Sequence, residues 1–306
     1  MTDFALDEPC DRGRAMPAPG RLLRQAADSI PPSMLVVLGI LSVQLGAGFA
    51  KELFTALPPS AVVFLRIAAG ALILAAVARP KLKGLSWGDW AVGLGFGVTL
   101  ALMNLSFYEA LSRLPMGVAV AIEFLGPLGV AVAASRRRLD LVWVVLAGLG
   151  VALFAPWGQP ASAGWWIGIG FALVAGACWA AYILLSAAAG RRFPGTTGLS
   201  FAMMVSAVVI APVGITTGGT DLAQPQLLLI GLGVGLLSSV IPYSLELRAL
   251  RRMPKHVFGI LMSLEPAAAA VVGVLLLGEV LHLQQWTAIV CIVVASLGST
   301  RTARRD

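Results

Sequence analysis

Ten apolar runs, each close to 20 residues, fill most of the chain, and short polar or turn-rich stretches separate them. They lie at roughly 33–53, 60–79, 88–110, 116–135, 139–156, 164–188, 196–217, 225–247, 256–277 and 282–300. A helix rises about 1.5 Å per residue, so about 20 apolar residues cross a hydrocarbon core about 30 Å thick. The connections carry turn formers: Pro58-Pro59, Arg79-Pro80, Gly158-Gln159-Pro160, Phe193-Pro194-Gly195 and Gly218-Gly219. None has the length of a soluble domain. The pattern predicts an all-α membrane protein of ten transmembrane helices in a single membrane domain.

Composition sharpens this. The 306 residues are 58% hydrophobic and 12% charged, with a mean hydropathy of +0.88. A soluble globule is about one quarter charged, so this chain lacks the polar coat that a water-facing surface needs. The net charge of +7 does not point to nucleic acid, because the basic residues fall between the apolar runs. With a cytoplasmic N-terminus, all but three of the 22 Lys and Arg fall in inside segments; Lys51 and Arg113 face outside, and Arg66 lies within a helix. This alternation predicts both termini inside and an even number of spans. Residues 1–32 mix acidic and basic side chains without a compact apolar stretch before a cleavage site. They read as a disordered cytoplasmic tail, with residues 301–306 a second one.

The chain also repeats itself. ALSRLP at 110–115 returns as ALRRMP at 249–254, and the same offset of 139 pairs Pro115 with Pro254, Pro127 with Pro266 and Asp140 with Glu279. The unit is five helices, at 33–156 and again at 164–300. Five is odd, so the second copy is upside down, the arrangement of alternating-access transporters.

An ionisable side chain within a span costs about 3 kcal/mol on insertion scales, so each needs a reason. Glu123 lies about 10 Å in from Met116, and Arg66 about 9 Å in from Ser60, at 1.5 Å per residue. Equal depth allows a pair, either a structural ion pair or a substrate and proton site. Glu265 precedes Pro266, which removes a backbone donor and frees carbonyls. It is either a proton or ammonium site or a local cap for the opened helix. Gln44 and Asn104 lie deep, as helix–helix hydrogen bonds or as site residues. Lys51 either snorkels to the outer interface or reaches substrate. Tyr108, Trp179, Tyr182 and Tyr243 are either interfacial anchors or cavity residues. Glu246 and His282 sit at helix ends. Cys10, Cys178 and Cys291 form no CxxC, and no Cys/His cluster occurs, so neither a metal nor any other cofactor is expected.

At these residues the chain resembles the drug/metabolite transporter superfamily with paired EamA-type repeats, and within it the bacterial threonine/homoserine exporters. The carrying stretches are SVQLGAGFAKELF at 42–54, LRIAAGALIL at 65–74, MNLSFYEAL at 103–111 and PMGVAVAIEFLGPLGVAVAASRRRLDLVWVVLAGLG at 115–150. GACWAAYIL at 176–184, IPYSLELRAL at 241–250 and FGILMSLEPAAAAVVGVLLLGE at 258–279 complete them. EFLGP and MSLEPA are the most specific. The resemblance implies a ten-helix inner-membrane carrier exporting threonine, homoserine and similar amino acids against protons. The polar positions inside the matching stretches become the substrate candidates: Gln44, Lys51, Arg66, Asn104, Tyr108, Glu123, Trp179, Tyr243 and Glu265. Glu123 and Glu265 are the proton-coupling candidates.

A zwitterion needs a cation for its carboxylate, which Arg66 and Lys51 supply, and an acceptor for its ammonium, which Glu123 or Glu265 supplies. The expected partners are a small amino acid, protons and the lipid bilayer, with a monomer or weak dimer as the working unit. Rival readings are a carrier of aromatic amino acids, purines or cationic drugs, and a non-transporting membrane scaffold. An enzyme is disfavoured, since no dense His/Asp/Glu cluster lies at an interface.

Overall fold

The computed structural model describes residues 30–78, 80, 84–133, 139–154, 162–194 and 196–302. The tail up to residue 29, residues 303–306, Gly195, the turn at 158–160, and the basic positions Arg79, Lys81, Lys83 and Arg136 to Arg138 lie outside the described residues.

The helices are α1 (Pro32–Glu52), α2 (Pro59–Ala78), α3 (Trp87–Leu111), α4 (Met116–Glu123), α5 (Leu125–Ala133), α6 (Leu139–Leu153) and α7 (Ala163–Arg192). Then follow α8 (Thr197–Gly218), α9 (Pro225–Gly235), a π turn (Leu236–Val240), α10 (Ile241–Arg252), α11 (Lys255–Met262), α12 (Glu265–Leu277) and α13 (Leu283–Thr302). Sequence chemistry sets the ends. Proline at the first turn starts α1 and α9. Ser86 and Asp89 form a capping box on α3. Gly278, at φ 63°, ends α12 in the left-handed region open to glycine.

Among the described residues, nine helical stretches are long and apolar enough to cross a membrane, and α6 is a shorter apolar helix. The outward faces are apolar, with Leu72, Val208 and Leu275 each more than 70% exposed. An apolar exterior on this scale fits lipid, not water.

Two runs read as continuous spans are broken helices. The run at 116–135 divides at Phe124 into α4 and α5, and the run at 256–277 divides at Ser263-Leu264 into α11 and α12. The prolines are the cause. Pro127 has no N–H for the carbonyl of Glu123 four residues earlier, and Pro266 has none for Met262. The run at 225–247 also departs from one regular helix, because the π turn separates α9 from α10.

Helix α3 packs between α7 and α8, α2 against α8 and α9, α1 against α10, and α6 against α13. The broken helices line the middle: α4 and α5 lie on α7, and α11 and α12 lie on α1. Close approach at the first break requires glycine. A Cβ on Gly126 would collide with the backbone of Gly176, and one on Gly176 would sit 2.8 Å from the carbonyl oxygen of Glu123.

Candidate functional site

The broken helices α4–α5 and α11–α12, with α1, α2, α3, α7, α10 and α13, enclose a cavity of about 510 Å³. Gln44, Arg66, Asn104, Glu123, Trp179, Tyr243 and Glu265 all line it. Seven helices contribute these residues, so the cavity exists only in the assembled bundle.

Arg66 is held from behind. Its Nη2 donates to Asn104 Oδ1, its Nη1 donates to the Tyr108 hydroxyl at 3.2 Å, and its guanidinium carbon lies 5.1 Å from the Tyr108 ring centre. Asn104 is itself fixed, its Nδ2 donating to the Leu100 carbonyl at 2.7 Å. Tyr108 is fully buried between Phe54 and Phe107. It therefore supports the arginine from outside the cavity wall and does not anchor the helix at an interface. Nε of Arg66 is buried with no partner.

The two carboxyls sit at the helix breaks. Glu123 is the last residue of α4, and Glu265 is the first of α12; each is 7% exposed. Glu265 accepts one hydrogen bond, from Gln44 Nε2 at 3.2 Å, while its Oε2 and the Oε1 of Gln44 are buried with no partner. Glu123 has no hydrogen-bond partner among the described residues, and it is close enough to feel the charges of Glu265 and Arg66. Arg66 and Glu123 share the cavity without forming an ion pair among the described residues, because the guanidinium is turned to Asn104 and Tyr108. Each unpartnered atom here forgoes a hydrogen bond that an incoming polar group can supply.

Aromatic rings complete the walls. Phe124 and Trp179 meet edge to face at 5.5 Å, and Phe96 backs Tyr182 at 5.2 Å. Tyr182 and Tyr243 both line the cavity. Glu246, read from the sequence as a weak candidate at a helix end, lines the cavity, and so do Ser238, Ser296 and Thr300, which the sequence did not single out. Ser238 lies in the π turn, a feature frequent at functional sites.

Lys51 stands apart, at the end of α1 beyond the cavity. Its Nζ bonds Glu279 Oε1 and the Leu114 carbonyl, both at 2.7 Å, and Glu279 Oε2 accepts from the Met116 backbone N–H at 2.8 Å. Here α4 packs directly on α12, with Gly117 against Ala270. The cavity is closed at this end. Its lining reaches the other way, to Ala131, Ile183, Glu246, Phe258 and Thr300, toward the ends that carry Arg191, Arg192, Arg251, Arg252 and Arg301.

Residues 166–301 match the family model described as the EamA-like transporter family. Threonine/homoserine exporter RhtA of Salmonella typhimurium (strain SL1344) is 42% identical over 275 residues, which are 90% of this chain and 93% of that protein. The protein of the same name from Escherichia coli (strain K12) matches with the same identity and coverage. The chain belongs to the EamA-like transporter family. A solved crystal structure, 19% identical, covers 89% of this chain and 98% of its own at a TM-score of 0.61, and so shares the fold. As an EamA-like transporter the protein is a multi-pass membrane protein and not an enzyme.

Proposed function

We propose that this transporter exports small amino acids such as threonine and homoserine across the bacterial inner membrane, in exchange for protons, by alternating access. The observation that carries the reading is one cavity, lined by a braced guanidinium and by two under-partnered carboxyls. Arg66 takes the substrate carboxylate, with its free Nε among the donors. Glu123 or Glu265 takes the ammonium. A carboxylate left charged and empty in the membrane costs about 3 kcal/mol, so a proton replaces the ammonium when substrate leaves. Competition of proton and substrate for one carboxyl gives exchange. The name of the RhtA relatives supplies the cargo and the direction.

The ten-helix, two-repeat architecture belongs to the same proposal, with halves at 33–156 and 164–300. In support, the offset of 139 carries α1 to α7, α2 to α8, α3 to α9–α10 and each broken helix to the other. Exchanging the halves turns the contact of α3 with α7 into that of α10 with α1, and α3 with α8 into α9 with α2. Not every pair has such a counterpart. At the closed end α4 packs on α12, whereas α5 and α11, their exchange partners, make no comparable contact among the described residues. An inverted repeat caught open at one end has this asymmetry. The open end carries the basic residues, so by the positive-inside rule it faces the cytoplasm together with both termini. A monomer or weak dimer is the working unit of the same proposal.

The test is counterflow in proteoliposomes with a panel of labelled amino acids. Threonine and homoserine exchange is expected, with aromatic amino acids and purines excluded. Absence of threonine and homoserine exchange by correctly folded protein overturns the reading.

A further inference from the structure

The charges in the cavity do not balance for a zwitterion alone. Among the described lining residues Arg66 is the cation, while Glu123, Glu246 and Glu265 are carboxyls. A zwitterion brings one charge of each sign, which leaves two carboxyls without a cation. Glu265 Oε2 is one of the buried acceptors left without a partner, which points to a missing donor.

Glu246 is the carboxyl that the zwitterion does not need. It lies one helical turn from Tyr243 on α10, against Gly39 of α1, where a Cβ would come 3.5 Å from its Cγ and 3.7 Å from its Oε1. No hydrogen bond or ion pair engages its carboxyl among the described residues. Glu265 is held on the same helix α1 by Gln44, five residues further along. Five residues of helix separate the two acceptor levels by about 7.5 Å. Val43 and Tyr243 line the same cavity.

Two acceptors at different levels of one cavity fit a molecule with two ammonium groups joined by methylenes. We infer that Glu246 forms a second ammonium subsite, so that the transporter also carries amino acids with an amino side chain, of the lysine and ornithine class. This rests on the proposed zwitterion site: Arg66 and Glu123 or Glu265 hold the α-carboxylate and α-ammonium, and Glu246 receives the side-chain ammonium. A hydroxylated amino acid is too short to reach Glu246 from that frame and does not use it.

The experiment compares labelled threonine, lysine and ornithine in counterflow against threonine-loaded proteoliposomes. Both diamino acids exchange in the wild type. Glu246→Gln lowers their exchange by at least about tenfold and leaves threonine within about twofold. Gly39→Val, which crowds the Glu246 carboxyl from the neighbouring helix, gives the same selective loss and serves if the first variant misfolds. Wild-type protein that exchanges threonine but neither diamino acid overturns the subsite. So does a loss that falls equally on threonine and lysine in the variants. Wild-type protein that exchanges no threonine overturns the underlying reading, and the subsite falls with it.

Discussion

The orientation of Arg66 is settled by the protein itself, before any ligand arrives. Asn104 and Tyr108 hold two of its nitrogens, and the Leu100 carbonyl holds Asn104. A lysine at the same place keeps the charge but loses the planar fork and the ring contact. Arg66→Lys is therefore expected to lower threonine exchange by about tenfold or more with little loss of folded protein, measured by counterflow and by monodispersity in detergent. Retained exchange would mean that the guanidinium geometry is not read. These residues were legible in the sequence because lipid penalises polar groups, so a lone Arg, Asn or Gln in an apolar run stands out. Which way such a residue faces was less legible. Tyr108 proves to be a buried brace, and Lys51 an ion-pair partner of Glu279 away from the cavity. Glu246 looked like a helix-end residue because the apolar run stops near 247, yet α10 continues to Arg252 and brings it to the cavity wall.

At the scale of elements, the broken helices place carboxyls at their breaks, and α4 packs on α12 at the closed end. Loss of a backbone donor at Pro127 and Pro266 explains where each helix breaks. The π turn had no sequence signal that we can identify. The closed end is tied by Lys51 and Glu279, with the carboxylate also capping the Met116 N–H at the start of α4. That position adds a favourable interaction with the helix dipole. Removing the ammonium weakens the tie without crowding the interface. Lys51→Met is expected to raise labelling of a Val120→Cys reporter by a membrane-impermeant thiol reagent added outside, because Val120 lines the cavity just beyond α4's contact with α12. Unchanged labelling would mean that α4 and α12 stay shut by packing alone. Gly117→Val acts on that packing directly, since even a single added Cβ would lie 2.7 Å from that of Ala270. The same reporter should respond more strongly to it.

For the whole molecule, orientation and coupling are the two properties that no single helix carries. Span lengths and basic loops predicted the membrane character, although the run at 139–156 yields only a fifteen-residue helix among the described residues. The cavity's open end and its basic rim agree in direction, which ties conformation to topology. A reporter active only in the periplasm, fused after Asp306, should therefore stay silent; activity would reverse the assignment of the open end as cytoplasmic.

Coupling asks more, because one carboxyl has to exchange a proton for an ammonium at the same atoms. Glu265 is the better placed of the two candidates. It begins α12 at the break, keeps one neutral partner in Gln44, and has its second oxygen free. Helix α12, which Glu265 begins, also packs on α4 at the closed end. Glu265→Gln keeps the shape and one acceptor but cannot titrate. Uphill efflux driven by a pH gradient should then fail, while threonine exchange at equal pH survives at a reduced rate. If the gradient still drives efflux through the Gln variant, the proton is carried elsewhere, and Glu123→Gln is the variant that should then abolish driving. If the Gln variant fails to fold, Glu265 serves the broken helix itself, and coupling through it is refuted.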